Sequence, residues 1–246
     1  MIPKLIHYCW LSGGPIPENL QKCMNSWKKY LPDYEFILWD RNRFDINSTL
    51  WTKQAFEAKK YAFAADYIRL YAVYTYGGIY MDMDVEVLKS FNALLSSPYI
   101  LGLETDNGIE AGIFGAEKQT PFLKDCLNYY NSRSFIQEDG AYDIRPLPSI
   151  MYDVLSRNWQ IEKREGININ YISNKIFAFT PDFLTAKSHQ TGKIKVTNNT
   201  FSIHHFAGSW VSNGYKIRRY IYSHIKEHPF LLKIYKNTYQ KIKSKF

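Results

Sequence analysis

The chain has 246 residues, of which 46% are hydrophobic and 22% are charged, and its formal net charge is +8. This length can bury a full core as one domain. The three cysteines, Cys9, Cys23 and Cys126, are odd in number and lack C-x-x-C spacing, which argues against a disulfide framework or a zinc knuckle and favours the reducing cytoplasm. No apolar run reaches the length of about 18 residues that a membrane-spanning helix needs.

Strand and helix patterns alternate along the chain and predict an α/β domain with a mainly parallel central sheet. Gly77 and Gly78 predict the end of a long helix, because glycine is favoured at helix C-termini. In chain order, the predicted elements are a strand over residues 2–11, a helix over 17–30, a strand over 34–39, a helix over 52–76, strands over 79–87, 99–103 and 112–115, helices over 120–130 and 149–158, and strands over 169–172 and 201–205.

An acidic motif follows the two glycines. Residues two apart on a strand point to one face, so Asp82 and Asp84 are expected to aim their carboxylates at one point, with Glu86 next in the row. Such carboxylates repel one another unless a hard divalent cation such as Mg²⁺ or Mn²⁺ lies between them. Two carboxylates do not fill the coordination shell of such a cation, and phosphate oxygens usually occupy the remaining positions. The motif therefore predicts a nucleotide-dependent enzyme.

The positive charge is concentrated at the C-terminus. Residues 215–246 contain nine Lys or Arg and one acid, Glu227, and therefore carry the whole net charge of +8. Apolar residues recur there at helical spacing, which is typical of basic amphipathic helices on anionic membrane surfaces. A terminal helix docked on its own domain is the alternative. Nucleic acid is not an expected partner, because no recognised nucleic-acid-binding module is present.

Three segments together resemble glycosyltransferase family 32. Ala-Asp-Tyr-Ile-Arg-Leu at residues 65–70, followed by Tyr-Gly-Gly-Ile-Tyr-Met-Asp-Met-Asp at residues 76–84, is similar to the DXD signature of that family. Residues 2–10 resemble its first strand and residues 203–210 its closing motif. The resemblance implies a GT-A-type nucleotide-sugar-binding domain over residues 1–214, followed by the basic tail. It also implies retaining transfer of a sugar from a nucleoside diphosphate, assisted by Mn²⁺ or Mg²⁺.

The resemblance assigns a metal site. Asp84 is expected to bind the cation directly, and Asp82 to bind it more loosely or to contact the ribose. His205 matches the third ligand of related enzymes. His204 is the alternative, because adjacent strand residues face opposite ways.

The resemblance also implies roles in the chemistry. Asp66 would hold hydroxyls of the donor sugar, and Arg69 would neutralise the departing diphosphate; a surface ion pair is the alternative. Glu110 falls where the family lines the acceptor side of the donor sugar. It could stabilise positive charge at the anomeric carbon, act as nucleophile or bind the acceptor. A same-face transfer is preferred, because the sequence shows no clear carboxylate pair for double displacement.

Further residues are expected around the nucleotide. Trp10 would stack on the base, Tyr80 would support the donor, and Ser209 and Trp210 would close over the diphosphate. For Trp10 and Tyr80, packing in the core is the alternative.

We expect a transferase that uses a nucleoside-diphosphate sugar, with UDP-sugars favoured, and a glycan or lipid-linked acceptor in capsule or lipopolysaccharide synthesis. The basic tail predicts a cytoplasmic protein peripheral to the cell membrane. A toxin-like protein glycosyltransferase, a Mg²⁺-dependent phosphatase with an Asp-x-Asp motif and a non-enzymatic membrane-binding module are the alternatives.

Overall fold

The computed structural model describes residues 1–167, 172–207 and 228. Residues 1–189 and 193–206 form one compact unit, which contains every element named below. The predicted domain boundary after residue 214, the predicted helical tail and the predicted site residues Ser209 and Trp210 lie outside the described residues. Within these ranges, no helix combines the length and the apolar character needed to cross a bilayer.

The strands and helices alternate for much of the chain. The helices are α1 (Glu18–Tyr30), α2 (Leu50–Glu57), α3 (Tyr61–Tyr76), α4 (Pro121–Asn128), α5 (Leu147–Asn158) and α6 (Pro181–Leu184). The strands are β1 (Leu5–Cys9), β2 (Glu35–Trp39), β3 (Gly78–Met81), β4 (Val85–Val87), β5 (Tyr99–Ile100), β6 (Leu103–Thr105), β7 (Gly108–Ile109), β8 (Ile113–Ala116), β9 (Gln160–Arg164), β10 (Lys175–Phe179) and β11 (Ser202–His204).

The central sheet has the strand order β2-β1-β3-β8-β5. β1 pairs in parallel with both β2 and β3, whereas β8 runs antiparallel to β3 and to β5. All strands of this sheet except β8 therefore run in one direction, which confirms the predicted α/β class with a mainly parallel sheet. Because β1 and β3 are parallel, their carboxyl ends meet at one edge, where ligands bind in open α/β sheets.

The close approach of β1 and β3 depends on Gly78. Its φ is +102°, and a Cβ atom there would lie 2.7 Å from the carbonyl oxygen of Leu5. No L side chain fits both the backbone conformation and the space. The Gly-Gly pair thus ends α3, as predicted, and also allows β3 to pair beside β1.

The long helix predicted over residues 52–76 is two helices. α2 ends at Glu57 and α3 begins at Tyr61, and Lys59 between them adopts a φ of +57°. The prediction missed the break because residues 58–60 are Ala-Lys-Lys and contain neither glycine nor proline. The break lets α2 fold back and pack on α3, since buried apolar residues of both helices belong to one core.

The parallel pair β9 and β10 was not predicted. The strand predicted over residues 169–172 falls mostly outside the described residues.

Candidate active site

The acidic motif forms a tight turn and is not part of one long strand. β3 ends at Met81 and β4 begins at Val85, and the backbone N–H of Val85 donates to the carbonyl oxygen of Asp82 at 3.0 Å. The N–H of Asp82 donates to the carbonyl of Gly112 at 2.7 Å, which ties the turn to the loop before β8. The strand predicted over residues 79–87 is therefore wrong in its middle. The turn, and not strand alternation, brings Asp82 and Asp84 together.

Three side chains converge at this turn. Asp82, Asp84 and His204 can each offer one ligand atom, and these atoms lie within 4.8 Å of one another. The Nε2 atom of His204 is 3.4 Å from Oδ1 of Asp84 and 4.0 Å from Oδ2 of Asp82. Two carboxylate oxygens and an imidazole nitrogen form a donor set that suits Mn²⁺ and that leaves coordination positions for phosphate oxygens. The residues present therefore fit the predicted cation.

The structure corrects the choice between the two adjacent histidines. β11 pairs antiparallel with β4, and His204 lies opposite Val85. Successive side chains point to opposite faces. His204 consequently reaches the aspartates, while Nε2 of His205 pairs with Oε2 of Glu86 at 2.8 Å on the other side. The geometry therefore favours the alternative, His204, over the predicted His205, and Glu86 pairs with His205 instead of continuing the carboxylate row.

Arg69 links the helix to the acidic turn. Its guanidinium lies 3.3 Å from a carboxylate oxygen of Asp66 and 3.3 Å from one of Asp82, and it donates to the carbonyl of Ala111 at 2.8 Å. Asp66 and Arg69 are 8% and 7% exposed, so the alternative of a solvated surface pair is wrong. Tyr80 donates its hydroxyl to Asp82 at 2.8 Å, and its ring lies 4.7 Å below the guanidinium.

Burial shifts the pKa values of this cluster. It raises the pKa of Asp66 to about 7, with the neighbouring Arg69 opposing the shift, and it also raises the pKa of Asp82 against the same guanidinium. Burial alone would lower the pKa of His204, but the carboxylates of Glu110 and Asp84 outweigh it and hold that pKa well above its usual value. The centre of the cluster therefore favours positive charge.

Glu110 is completely buried and cannot face a reacting sugar in this conformation. One of its oxygens accepts from the N–H of Gly112 at 2.6 Å and contacts Nδ1 of His204 at 3.0 Å, and the other accepts from the hydroxyl of Thr185 at 2.7 Å. Burial would raise the pKa of Glu110, but these partners, with His204 first among them, outweigh it and lower that pKa. In this conformation Glu110 contacts His204 and is not exposed to attack a sugar or bind an acceptor, so the geometry does not support those two expected roles.

Trp10 directly follows β1 and lies on the same sheet edge as the acidic turn. The register pairs His7 with Tyr80, so the ends of β1 and β3 are level. Trp10 is half-buried, and its indole N–H donates to the carbonyl of Gly14 at 2.7 Å. Its position is compatible with the predicted nucleotide contact, which stays a prediction.

The contacts that Thr185, Gly112 and Phe206 make in this cluster were not predicted, although Phe206 lies in the closing motif. Thr185 bonds Glu110, Gly112 packs against His204, and the ring of Phe206 lies on the imidazole of His204 with centroids 4.1 Å apart. Thr185 lies outside every motif of the sequence, so no pattern marked it.

Residues 17–101 match the family model described as "Glycosyltransferase sugar-binding region containing DXD motif". The chain contains a DXD-type glycosyltransferase region. This match supports the predicted resemblance and the predicted glycosyltransferase class for that region. The sheet described above confirms the predicted α/β class with a mainly parallel sheet.

Curated proteins of several organisms are similar to this glycosyltransferase region. Inositol phosphoceramide mannosyltransferase 3 of Schizosaccharomyces pombe is 32% identical over 50% of the chain and 35% of its own length. Mannosyl phosphorylinositol ceramide synthase SUR1 of Saccharomyces cerevisiae is 31% identical over 55% of the chain and 37% of its own length. The uncharacterized glycosyltransferase L373 of Acanthamoeba polyphaga mimivirus is 33% identical, with 58% of the chain and 60% of that protein covered. The chain thus spans less than half the length of the two yeast relatives.

Solved structures are similar at lower identity. The PaToxG glycosyltransferase has a TM-score of 0.47 and 19% identity, with 63% of the chain and 68% of that structure covered. The galactosyltransferase LgtC, solved with donor and acceptor sugar analogues, has a TM-score of 0.45 and 12% identity, with 82% of the chain and 87% of that structure covered.

Proposed function

We propose that the protein is a metal-dependent, retaining glycosyltransferase that moves a sugar from a nucleoside-diphosphate sugar to a hydroxyl of a glycan or lipid-linked acceptor. The observation that carries the proposal is the convergence of Asp82, Asp84 and His204 at the carboxyl end of β3, with the two aspartates inside the matched region. This donor set suits a divalent cation that also binds phosphate oxygens.

A cation held by Asp82, Asp84 and His204 would neutralise negative charge on the departing diphosphate. Arg69 has a positively charged side chain that contacts Asp82 in this cluster. Because Arg69 is buried, its charge would also stabilise the departing diphosphate. Asp66 is held by Arg69 and offers carboxylate oxygens to hydroxyls of the donor sugar. Tyr80 keeps Asp82 oriented through its hydroxyl.

The preferred route is a same-face transfer. Glu110 would have been the nucleophile of a double displacement, but its carboxylate has no exposed surface and both its oxygens are occupied. In the same-face route, the bond from the anomeric carbon to the diphosphate oxygen breaks. The acceptor oxygen then bonds to that carbon on the same face, and the acceptor proton passes to the leaving phosphate.

Two donor and acceptor classes follow from different observations. UDP-sugars and a lipid-linked bacterial-type polysaccharide acceptor follow from the sequence resemblance to glycosyltransferase family 32, which includes bacterial capsular and lipopolysaccharide sugar transferases. A mannosyl donor and an inositol-phosphate lipid follow from the names of the relatives that are 30–32% identical. Both acceptors are amphiphilic, which agrees with the proposed peripheral location on a cytoplasmic membrane face through the basic tail.

Thermal unfolding with a ligand panel tests the proposal. The panel contains UDP, GDP, UDP-glucose, UDP-galactose and GDP-mannose, each with and without Mn²⁺. At a ligand concentration near 100 times Kd, stabilisation should be about 2.7 kcal/mol, or roughly 5–11 °C in Tm at this chain length. A shift that needs both Mn²⁺ and one nucleotide sugar supports the proposal and selects the donor class. A folded protein that no nucleotide stabilises would overturn it and favour the phosphatase or membrane-module alternatives.

A further inference from the structure

The imidazole of His204 is held from several directions. Its Nδ1 atom lies 3.0 Å from Oε1 of Glu110, and its Nε2 atom points to the acidic turn, 3.4 Å from Asp84. One face of the ring lies against Phe206, with centroids 4.1 Å apart. A buried side chain with both nitrogens and one face in contact has little freedom to change rotamer.

Gly112 makes room for this ring. A Cβ atom at Gly112 would lie 2.4 Å from Cε1 and 2.7 Å from Nδ1 of His204. Both contacts are shorter than any van der Waals separation, so the imidazole packs directly on the glycine backbone. The same glycine donates its N–H to Glu110 at 2.6 Å. One loop residue therefore shapes the space for His204 and orients the carboxylate that holds it.

Glu110 is itself anchored. Its carboxylate is fully buried and meets three donors, namely the N–H of Gly112, the hydroxyl of Thr185 and the Nδ1 side of His204. Thr185 is 1% exposed and follows α6, so the anchor comes from a part of the chain remote from the acidic turn. When a carboxylate binds one nitrogen of an imidazole, it fixes the tautomer and the ring orientation and leaves the other nitrogen free for a metal.

We propose that Glu110, anchored by Thr185 and Gly112, is the positioning residue of the cation site: it accepts the Nδ1 proton of His204 and so delivers Nε2 to the ion shared with Asp82 and Asp84. The inference rests on the proposed function in one respect, which is that the cluster binds a cation. It adds a role for a residue that touches neither the cation nor the sugar. Glu110 acts through His204 alone.

Mn²⁺ affinity of the full chain tests the role without any turnover. Free Mn²⁺ is measured by electron paramagnetic resonance during titration of the wild type, Glu110→Gln and Glu86→Gln. Glutamine retains the size of Glu110 but loses its charge, and we expect Kd for Mn²⁺ to rise 10- to 100-fold. Glu86→Gln is the matched control, because Glu86 pairs with the other histidine, and its Kd should change by less than about threefold.

A double-mutant cycle separates positioning from plain loss of charge. In a His204→Asn background, Glu110→Gln should change the Mn²⁺ affinity by less than about threefold, because the residue through which Glu110 acts is gone. An undiminished effect in that background would show a general charge effect and overturn the inference. An equal loss of affinity in Glu86→Gln and Glu110→Gln would also overturn it.

The outcomes distinguish this inference from the proposed function. If the wild type does not bind Mn²⁺, the cation site and the proposed function fail together. If the wild type binds and Glu110→Gln binds equally well, only the positioning role fails. Should Glu110→Gln not fold, Thr185→Val tests the same anchor with Glu110 in place. We expect it to weaken Mn²⁺ binding about three- to tenfold, and an unchanged affinity would overturn the inference.

Discussion

At the residue scale, carboxylates alternate with an arginine and a histidine in a cluster that is buried except at Asp82 and Asp84, which are half-buried. Arg69 lies between Asp66 and Asp82, and His204 lies between Glu110 and Asp84. Buried charges are tolerated when each has a hydrogen-bonded partner of opposite sign. Because four carboxylates here share one guanidinium and one imidazole, the cluster has room for additional positive charge, which a divalent ion would supply in place of a proton on Nε2 of His204.

Replacement of Asp84 tests this view. Asp84→Asn keeps the size of the side chain but removes one anionic ligand, so Mn²⁺-dependent stabilisation by the nucleotide sugar should be lost. The Tm without ligands should stay within a few degrees of the wild type, or rise, because a half-buried carboxylate beside Asp82 is removed. Asp106→Asn is the matched control, since that carboxylate is exposed and pairs only with Lys163 in the described part of the chain. Full Mn²⁺-dependent stabilisation of Asp84→Asn would contradict the metal assignment.

Asp66 gives a prediction about pH. Its pKa of about 7 in the folded protein lies above its ordinary value of 3.8 because burial disfavours the charged form. Between about pH 4 and pH 7 the folded state therefore holds a proton that the unfolded state has lost, and this residue makes stability fall as pH rises. Asp66→Asn does not titrate. Its free energy of unfolding relative to the wild type should rise over this range, by at most about 1.4 kcal/mol per pH unit.

Urea unfolding of both proteins at pH 5, 6, 7 and 8 measures the difference. Other groups titrate in both proteins and cancel in the comparison. A difference that does not vary with pH would show that Asp66 ionises at its ordinary pKa in the folded protein.

At the element scale, the turn between α3 and β3 determines how the sheet presents the site. α3 carries Asp66 and Arg69, and β3 leads directly into Asp82. β8, on the other side of β3, follows the loop with Glu110 and Gly112. Adjacent strand ends and one helix therefore supply most of the cluster. The pairing of β1 with β3 sets the relative positions of these elements.

Gly78→Ala tests the close pairing of β1 with β3. The new Cβ atom would lie 2.7 Å from a backbone carbonyl at a φ of +102°, so both strain and overlap are expected. We expect a loss of about 2–5 kcal/mol in the free energy of unfolding. Gly140→Ala is the control, because its φ is +81° but nothing lies within 4 Å of its Cβ position. It should lose only about 1–2 kcal/mol. Equal losses in urea unfolding would show that the contact with β1 is unimportant.

At the scale of the whole molecule, charge and chemistry occupy different parts of the chain. Residues 215–246 contain nine Lys or Arg and one acid, and residues 1–214 are neutral overall. Basic residues near an anionic membrane surface are attracted within a Debye length. The concentration of positive charge in residues 215–246 therefore predicts that this segment binds such a surface.

Vesicle co-sedimentation tests the tail. The full chain should bind vesicles that contain phosphatidylserine in 0.1 M salt and should be released near 0.5 M salt, because screening weakens the attraction. Replacement of Lys241, Lys243 and Lys245 by glutamate should reduce binding strongly. The same replacement of the exposed Lys22, Lys53 and Lys118 changes the net charge equally and should have little effect. Equal losses would contradict a specific role for the tail.

The sequence by itself indicated a DXD-type glycosyltransferase region, the α/β class and the convergence of two carboxylates at the acidic turn. These conclusions depend on local patterns, namely Gly-Gly before Asp-x-Asp and the Asp66 and Arg69 spacing on a helix. The convergence of Asp82 and Asp84 was predicted, although from a strand that is a turn. The helix break at residues 58–60 was missed because no glycine or proline marks it.

Only the tertiary structure shows which histidine lies beside the aspartates and that Glu110 is buried against it. Both depend on pairing between β4 and β11 and on a contact between residues 94 positions apart. A shift of one residue in strand register exchanges the two faces, and local sequence does not encode register across such a distance. His205 was predicted as the metal ligand from its place in a motif. His204 lies beside the aspartates because of how β11 pairs with β4.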